Sequence, residues 1–198
     1  MQRRNHLVQH RQSIRSRVRA VRPLILERPP SAGDSPAEDA LVIICPWLAG
    51  LPARIGLWVS ALPIHDVNGF IEDDARYSVP PALATTTYFG VLAIDPFRAS
   101  DAVFRRLRSK GIDRIVNLPS VSFFDGHTAE IFASLDLGPA QERAFLQRAK
   151  GAGLNVGLCA RTTEVPPKRH RAEYDFILCH DGPGSTLELI DGEIGEAP

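Results

Sequence analysis

Six short apolar runs limit what this chain can fold into more than any other feature of it. They are Pro23–Leu26, Ala40–Cys45, Tyr88–Ile94, Asp113–Pro119, Asn155–Ala160 and Tyr174–His180. A strand with one wet face alternates apolar and polar residues, whereas a strand covered on both faces does not. Most of these runs are continuous, so they predict strands of a parallel sheet with helices packed outside it. The segments between them carry helix signals. Asp101–Lys110 has Ser100 as its expected N-cap, a stripe of Val103, Phe104 and Leu107, and Gly111 as its stop. Ala140–Lys150 has Pro139 in its first turn, Ala144, Phe145 and Ala149 facing inward, and Gly151 after it. His127–Leu135 groups Ile131, Phe132 and Leu135. Between the second and third strands, Pro80 and Pro81 limit any helix to a short one.

Strand–helix alternation predicts an α/β protein with right-handed crossovers, closed either as an open doubly wound sheet or as a (β/α) barrel. No GxGxxG or P-loop follows any of the strands, so the usual mark of the nucleotide-binding versions is missing. The chain has 198 residues, of which 44% are hydrophobic and 23% charged, enough for one domain with a real core. Formal net charge is zero, so no global field draws it to nucleic acid or an acidic membrane. The apolar runs are far shorter than the ~20 residues of a membrane span. Cys45, Cys159 and Cys179 form no CxxC pair and lie in strand-like runs, which predicts reduced, buried thiols in a cytoplasmic protein. Residues 1–22 are rich in arginine, with Leu7, Ile14, Val18 and Val21 at helical spacing. That pattern suits a capping helix with a basic face. A targeting peptide and a nucleic-acid arm are the competing readings.

In either closure the loops after the strands' C-terminal ends build the functional site. That rule selects Asp95 and nearby Arg98 after the third strand, and Asn117 near the end of the fourth, followed by Ser120, Ser122 and Asp125-Gly126. It also selects Arg161 after the fifth strand and His180 at the end of the sixth. Arginine grips a carboxylate or phosphate with two parallel hydrogen bonds, a carboxylate can hold Mg²⁺, and histidine can move a proton. Each residue also has a plain structural role open to it. Asp95 before Pro96 can cap a helix, Asn117 can satisfy loop backbone, Asp125-Gly126 can make a turn, and His180 can be a bonded core histidine. The expected geometry is four loop tips, carrying Asp95, Asn117, Arg161 and His180, around one hollow. The cysteines lack zinc spacing, and no GxSxG motif supports a serine triad.

"GVLAIDPFR", with "IVNLPSVSFFDGHTAEIFASLDLGPAQERAFLQRAKGAGL" after it, resembles the TIM-barrel phosphoenolpyruvate hydrolase-like family, also described as phosphonopyruvate hydrolase-like. Asp95, Pro96 and Phe97 match one family motif. Asn117, Pro119, Val121, Asp125 and Gly126 match a second, and "LPIHDVNG" resembles the family's "LPYGDAN" at Leu62, Pro63, Asp66 and Asn68. "RNHLVQHRQSIRSRVRAVRPLI" looks like the family's N-terminal helix, so the likeness is colinear over roughly residues 3 to 182. There are departures: "ERPPSAGDS" replaces a glycine-rich loop and "CPWLAG" replaces "YNSGR".

The resemblance implies a TIM barrel acting, with Mg²⁺, on a small phosphorylated or phosphonylated carboxylic acid. In that reading Asp95, His180 and Asn117 are catalytic and Asp95 faces the metal. Arg98, Arg161, Ser120 and Asp125 bind the anionic substrate. The chain divides into a basic helix (1–22), a barrel-like domain (23–182) with about six strands, and a tail (183–198) able to add one short element. Six strands of an eight-stranded design leave sheet edges for the tail, the N-terminal helix or a second subunit to cover, so a homo-oligomer is expected. A truncated or decayed reading frame is a further possibility. The alternative function is a non-catalytic homologue serving as an interaction or assembly subunit.

Overall fold

The computed structural model describes residues 23–31, 36–37, 40–52, 55–62, 64–73, 76–182 and 185–191. The expected N-terminal helix over 1–22 lies outside them. One sheet holds seven strands: β1 (Leu24–Leu26), β2 (Val42–Ile44), β3 (Thr87–Gly90), β4 (Arg114–Val116), β5 (Asn155–Arg161), β6 (Phe176–His180) and β7 (Glu188–Asp191). Their spatial order is their chain order, and the pairing is parallel from β1 through β6. A doubly wound sheet reverses its order partway. This sheet never does, so of the two expected closures the chain takes the barrel-like one, as an incomplete TIM-like half-barrel. The sheet has one strand more than the six expected. β7, drawn from the tail, runs antiparallel to β6, with an irregularity between Ile177 and Leu178.

The continuous apolar runs are buried as their pattern requires. Val42, Ile43 and Ile44 are wholly inaccessible, as are Ile115, Val116 and Leu178. Outside the sheet, α2 (Ser100–Ser109) buries Val103, Phe104 and Leu107. α4 (Pro139–Gly151) buries Phe145, Leu146 and Ala149, and the Phe104 and Phe145 rings meet at 5.0 Å. The remaining helices are α1 (Gly56–Val59), α3 (Gly126–Ser134) and α5 (Lys168–Arg171). No helix among the described residues is long and apolar enough to cross a membrane.

Four local expectations are corrected. Pro96 starts no helix; residues 96–98 are a bend, and α2 begins at Ser100. Ser100 is therefore the first helical residue and Ala99 holds the cap position, with no side-chain cap bond. The Ser100 hydroxyl instead accepts from the Arg148 guanidinium at 2.9 Å, tying α2 to α4. On α3 the Ile131–Leu135 grouping is not a core stripe, since Ile131 is 45% and Leu135 62% exposed. On α4, Ala144 is half-buried and Leu146 takes the inward place expected of it.

β3 is shorter than its apolar run because a side chain takes over its pairing. Beyond Gly90, the Asn68 amide receives the Leu92 N–H at Oδ1 (3.0 Å) and donates Nδ2 to the Leu92 carbonyl (2.9 Å). Gly90 itself sits where β3 and the end of β4 approach closely. A Cβ there would lie 2.6 Å from the Leu118 carbonyl oxygen and 2.7 Å from Cys45 Sγ. The backbone oxygen cannot swing aside as a flexible side chain could, so Gly90→Ala should destabilise the fold by about 2–3 kcal/mol. Urea unfolding checks this, and an unchanged midpoint would show that the two segments separate freely.

Candidate active site at the C-terminal strand ends

The selected residues all lie at the C-terminal ends of the parallel strands, but they form two groups. No hydrogen bond or ion pair among the described residues joins one group to the other.

The first group gathers around Arg98. Its Nε donates to Glu72 (2.9 Å), Nη1 to Asp66 (2.8 Å) and Asp95 (3.0 Å), and Nη2 to Asp66 (2.9 Å). Three carboxylates thus share one guanidinium. The fork at Asp66 holds that carboxyl below the usual range. Asp95 Oδ1 accepts from the Phe97 N–H at 2.8 Å, while Oδ2 accepts from Asn68 and Arg98. Asp95 thus organises its own turn and anchors Arg98. Beside it lies a cleft of about 330 Å³ lined by His65, Asp66, Leu92, Asp95, Phe97 and Arg98.

This arrangement removes the task expected of Arg98 and narrows the one expected of Asp95. Arg98 has every nitrogen engaged by an internal carboxylate, which leaves no fork for an anion. Mg²⁺ needs hard oxygens with open lone pairs; Asp95 Oδ2 already accepts twice, and Oδ1, which accepts once, is its one oxygen still open. No group of three His, Cys, Asp or Glu among the described residues is placed to hold a metal ion. As arranged, Asp95 could give Mg²⁺ one oxygen, and water or substrate would have to supply the rest.

The second group is built on β4, β5, β6, α4 and the 3-10 turn Val121–Phe123, and it is buried. Asn117 does for Cys159 of β5 what Asn68 does for Leu92 beyond β3. Its Oδ1 accepts from the Cys159 N–H (2.7 Å) and its Nδ2 donates to the Cys159 carbonyl (2.9 Å), continuing the sheet where the backbone leaves it. The Leu118–Pro119 peptide that follows is cis. Asn117 Nδ2 also donates to Glu142 Oε2 at 3.0 Å. Glu142 comes from the first turn of α4 and is only 1% exposed. Its Oε1 accepts from the Val121 N–H (2.9 Å) and its Oε2 also accepts from the Ser120 hydroxyl (2.7 Å). Burial pushes this carboxyl up to about 7, although the hydrogen bonds pull the other way.

A line of hydroxyls continues from Glu142 to His180. Ser120 Oγ and Ser122 Oγ are 2.7 Å apart, and Ser122 Oγ lies 2.9 Å from His180 Nε2. His180 is 2% exposed, its ring packs against Phe123 at 4.4 Å, and its Nδ1 has no hydrogen-bond partner. Burial, helped by the Arg161 charge, lowers the imidazole to about 4, so the ring is neutral at ordinary pH. Arg161 pairs with His180 in the β5–β6 register. Its Nε and Nη2 donate to the carbonyls of Ser122, Phe123 and Phe124, whereas Nη1 has only a loose contact, 3.7 Å to Asp125.

The structure therefore brings Asn117, Ser120, Asp125, Arg161 and His180 into one constellation and places Asp95 and Arg98 in another. Glu142, the hub of the buried second group, was not among the residues selected from sequence. Its signal was present: Glu142, Phe145, Leu146 and Ala149 share one helical face, so an acid stands inside the apolar stripe. The three cysteines are buried and free, and burial pushes their thiols up, Cys179 to about 11.

Comparison with known proteins places this geometry in a lineage. The uncharacterized protein y4oT of Sinorhizobium fredii (strain NBRC 101917 / NGR234) is 29% identical over 118 residues, covering 60% of this chain and 59% of y4oT. The ToMV resistance protein Tm-1(GCR237) of Solanum lycopersicum is 28% identical over 135 residues, 68% of this chain but 17% of the tomato protein. The ToMV susceptible protein tm-1(GCR26) matches to the same extent. The chain thus spans less than two thirds of the length of each of these relatives. Residues 52–191, which carry both groups and the sheet from β3 to β7, match the model of the phosphoenolpyruvate hydrolase-like family, and the chain belongs to that family.

Proposed function

We propose that this chain performs acid–base chemistry on a small phosphorylated or phosphonylated carboxylic acid, with His180 as the proton-handling group and Arg161 as the anion contact. The observation that carries this reading is the unpartnered Nδ1 of a neutral, buried imidazole at a strand's C-terminal end, where barrels of this type keep their chemistry. Arg161 is paired directly with His180, and its Nη1, loosely held by Asp125, supports an anionic substrate there. For a phosphonopyruvate-type substrate the balance is simple. Water attacks phosphorus, the carbon–phosphorus bond breaks with its electron pair left on carbon, and phosphate departs. The imidazole takes the water's proton and returns it to that carbon, giving pyruvate.

A pyruvate-release assay with phosphoenolpyruvate and phosphonopyruvate, run with Mg²⁺ in the buffer, tests the reading. Turnover is expected with one of them, and His180→Ala should lower it at least 100-fold, the lower end of what a positioned acid–base group contributes. Absence of pyruvate from both substrates would overturn the proposal.

A second reading, a non-catalytic member acting as an interaction or assembly subunit, is favoured by one observation. Asp95, from the family's Asp-Pro-Phe motif, and nearby Arg98 are engaged with each other and with Asp66, Asn68 and Glu72. Under that reading Asp95→Ala costs stability and there is no activity to lose.

A further inference from the structure

We propose that Glu142 is a positioning residue which, through Ser120 and Ser122, decides which ring nitrogen of His180 carries the proton. The inference rests on His180 as the proton-handling group and adds the device that would switch it between base and acid.

The argument is one of hydrogen-bond direction. A serine hydroxyl donates once, and an ionised carboxylate only accepts. With Glu142 ionised, the Ser120 hydroxyl donates to Oε2, as its 2.7 Å contact fits. Ser120 Oγ can then only accept from Ser122, so the Ser122 hydroxyl points toward Ser120. Ser122 Oγ in turn accepts from His180. The proton of the neutral ring must sit on Nε2, and the unpartnered Nδ1 is left as a bare lone pair, which is a base.

Protonation of Glu142 reverses every link. The Val121 and Asn117 N–H groups on the carboxyl can only donate, whereas the Ser120 hydroxyl can also accept, so the added proton belongs on Oε2, facing Ser120. Glu142 then donates to Ser120, Ser120 to Ser122, and Ser122 to Nε2. The ring proton moves to Nδ1, which becomes an acid. Between the two states three protons shift by one place each: Nε2 to Ser122, Ser122 to Ser120, Ser120 to Glu142. One proton enters at Nδ1 and one arrives at Glu142, so the serines and the ring end uncharged.

The surroundings favour this neutral wire. Arg161, at the end of β5, disfavours a charged imidazole and outweighs the opposing effect of Asp181. Glu164, in the turn after β5, disfavours a charged Glu142, and the nearby Cys159 thiol stays neutral. The Glu142 carboxyl is pushed up to about 7, so both of its states are reachable near neutral pH. A purely structural hub would also join these residues, but it would not need a carboxyl poised between two charges.

The test is ¹⁵N NMR of the full chain labelled at histidine, read between pH 5 and pH 9. His180 should carry its proton on Nε2 above about pH 7 and on Nδ1 below it, seen as an exchange of protonated and unprotonated ring-nitrogen shifts. In Glu142→Gln the tautomer should stop following pH. Ser122→Ala cuts the wire without touching Glu142 and should give the same loss, which decides the matter if Glu142→Gln does not fold. A single tautomer across the range in the unmodified chain would overturn the proposal, as would a switch that persists unaltered in Ser122→Ala. The readout does not depend on turnover. A chain that releases no pyruvate yet switches tautomer would sink the proposed function alone.

Discussion

Asn117→Ala should lower the unfolding free energy by about 4 kcal/mol, a large part of what holds a domain of this size together. The side chain is wholly buried and answers three groups: the Cys159 N–H, the Cys159 carbonyl and the Glu142 carboxyl. In a parallel sheet both backbone groups of a residue face the same neighbouring strand. β4 ends its pairing at Val116, opposite Gly157, so the Asn117 amide stands in for backbone where the chain turns away. Alanine leaves a buried donor and acceptor unanswered and removes one of two hydrogen bonds to Glu142 Oε2. Each buried group left without a partner costs roughly 1–3 kcal/mol. Urea unfolding of Asn117→Ala beside Asn117→Asp separates the contributions. Aspartate keeps the acceptor for Cys159 but turns a second carboxyl toward Glu142, so it should be no better than alanine. A loss below about 1 kcal/mol in the alanine variant would mean that water or a backbone shift replaces the amide.

This role explains why the motif asparagines carried a double meaning in the sequence. Asn68 and Asn117 lie in the segments that resemble the family, and the motif match gave them an air of chemistry. Both do the same architectural work: each answers the N–H and the carbonyl of one residue of the sheet region in place of a neighbouring backbone. Nothing in a linear pattern distinguishes an amide that replaces backbone from one that faces a substrate, because the donor and acceptor are identical. The parallel sheet was legible because burial on both faces writes itself into composition, as in "VII" and "FILCH". β7 was half-legible: the tail's "LELI" could supply an element, but its antiparallel direction depends on how the chain turns after His180. The single hollow expected from strand-end placement became two groups because Arg98 folds back onto Asp66 and Glu72, residues 32 and 26 positions away in sequence. Ion pairs at that separation have no local signature.

The stability of the chain against pH should expose Glu142 and His180 as opposing titrations. The folded Glu142 carboxyl, raised from 4.5 to about 7, keeps a proton that the unfolded chain has released between those values. Stability therefore falls as pH rises from 4.5 to 7, by about 3 kcal/mol. The folded His180 ring, lowered from 6.5 to about 4, lacks a proton that the unfolded chain holds between those values. Its contribution rises by about 3 kcal/mol from pH 4 to 6.5. From 4.5 to 6.5 the two slopes cancel, and the unmodified chain hides both. Each single substitution unmasks the other group. Glu142→Gln should gain stability relative to the unmodified chain as pH rises from 4.5 to 7, and His180→Gln should lose it relative to the unmodified chain between pH 4 and 6.5. Unfolding free energies measured at half-unit pH steps give these difference curves, from which carboxylates and histidines elsewhere drop out. Parallel curves for all three proteins would show that neither group is held neutral by burial. The cancellation has a physical root. A carboxyl and an imidazole at the two ends of one hydroxyl line are both buried, and burial drives an acid and a base toward the same uncharged state from opposite directions.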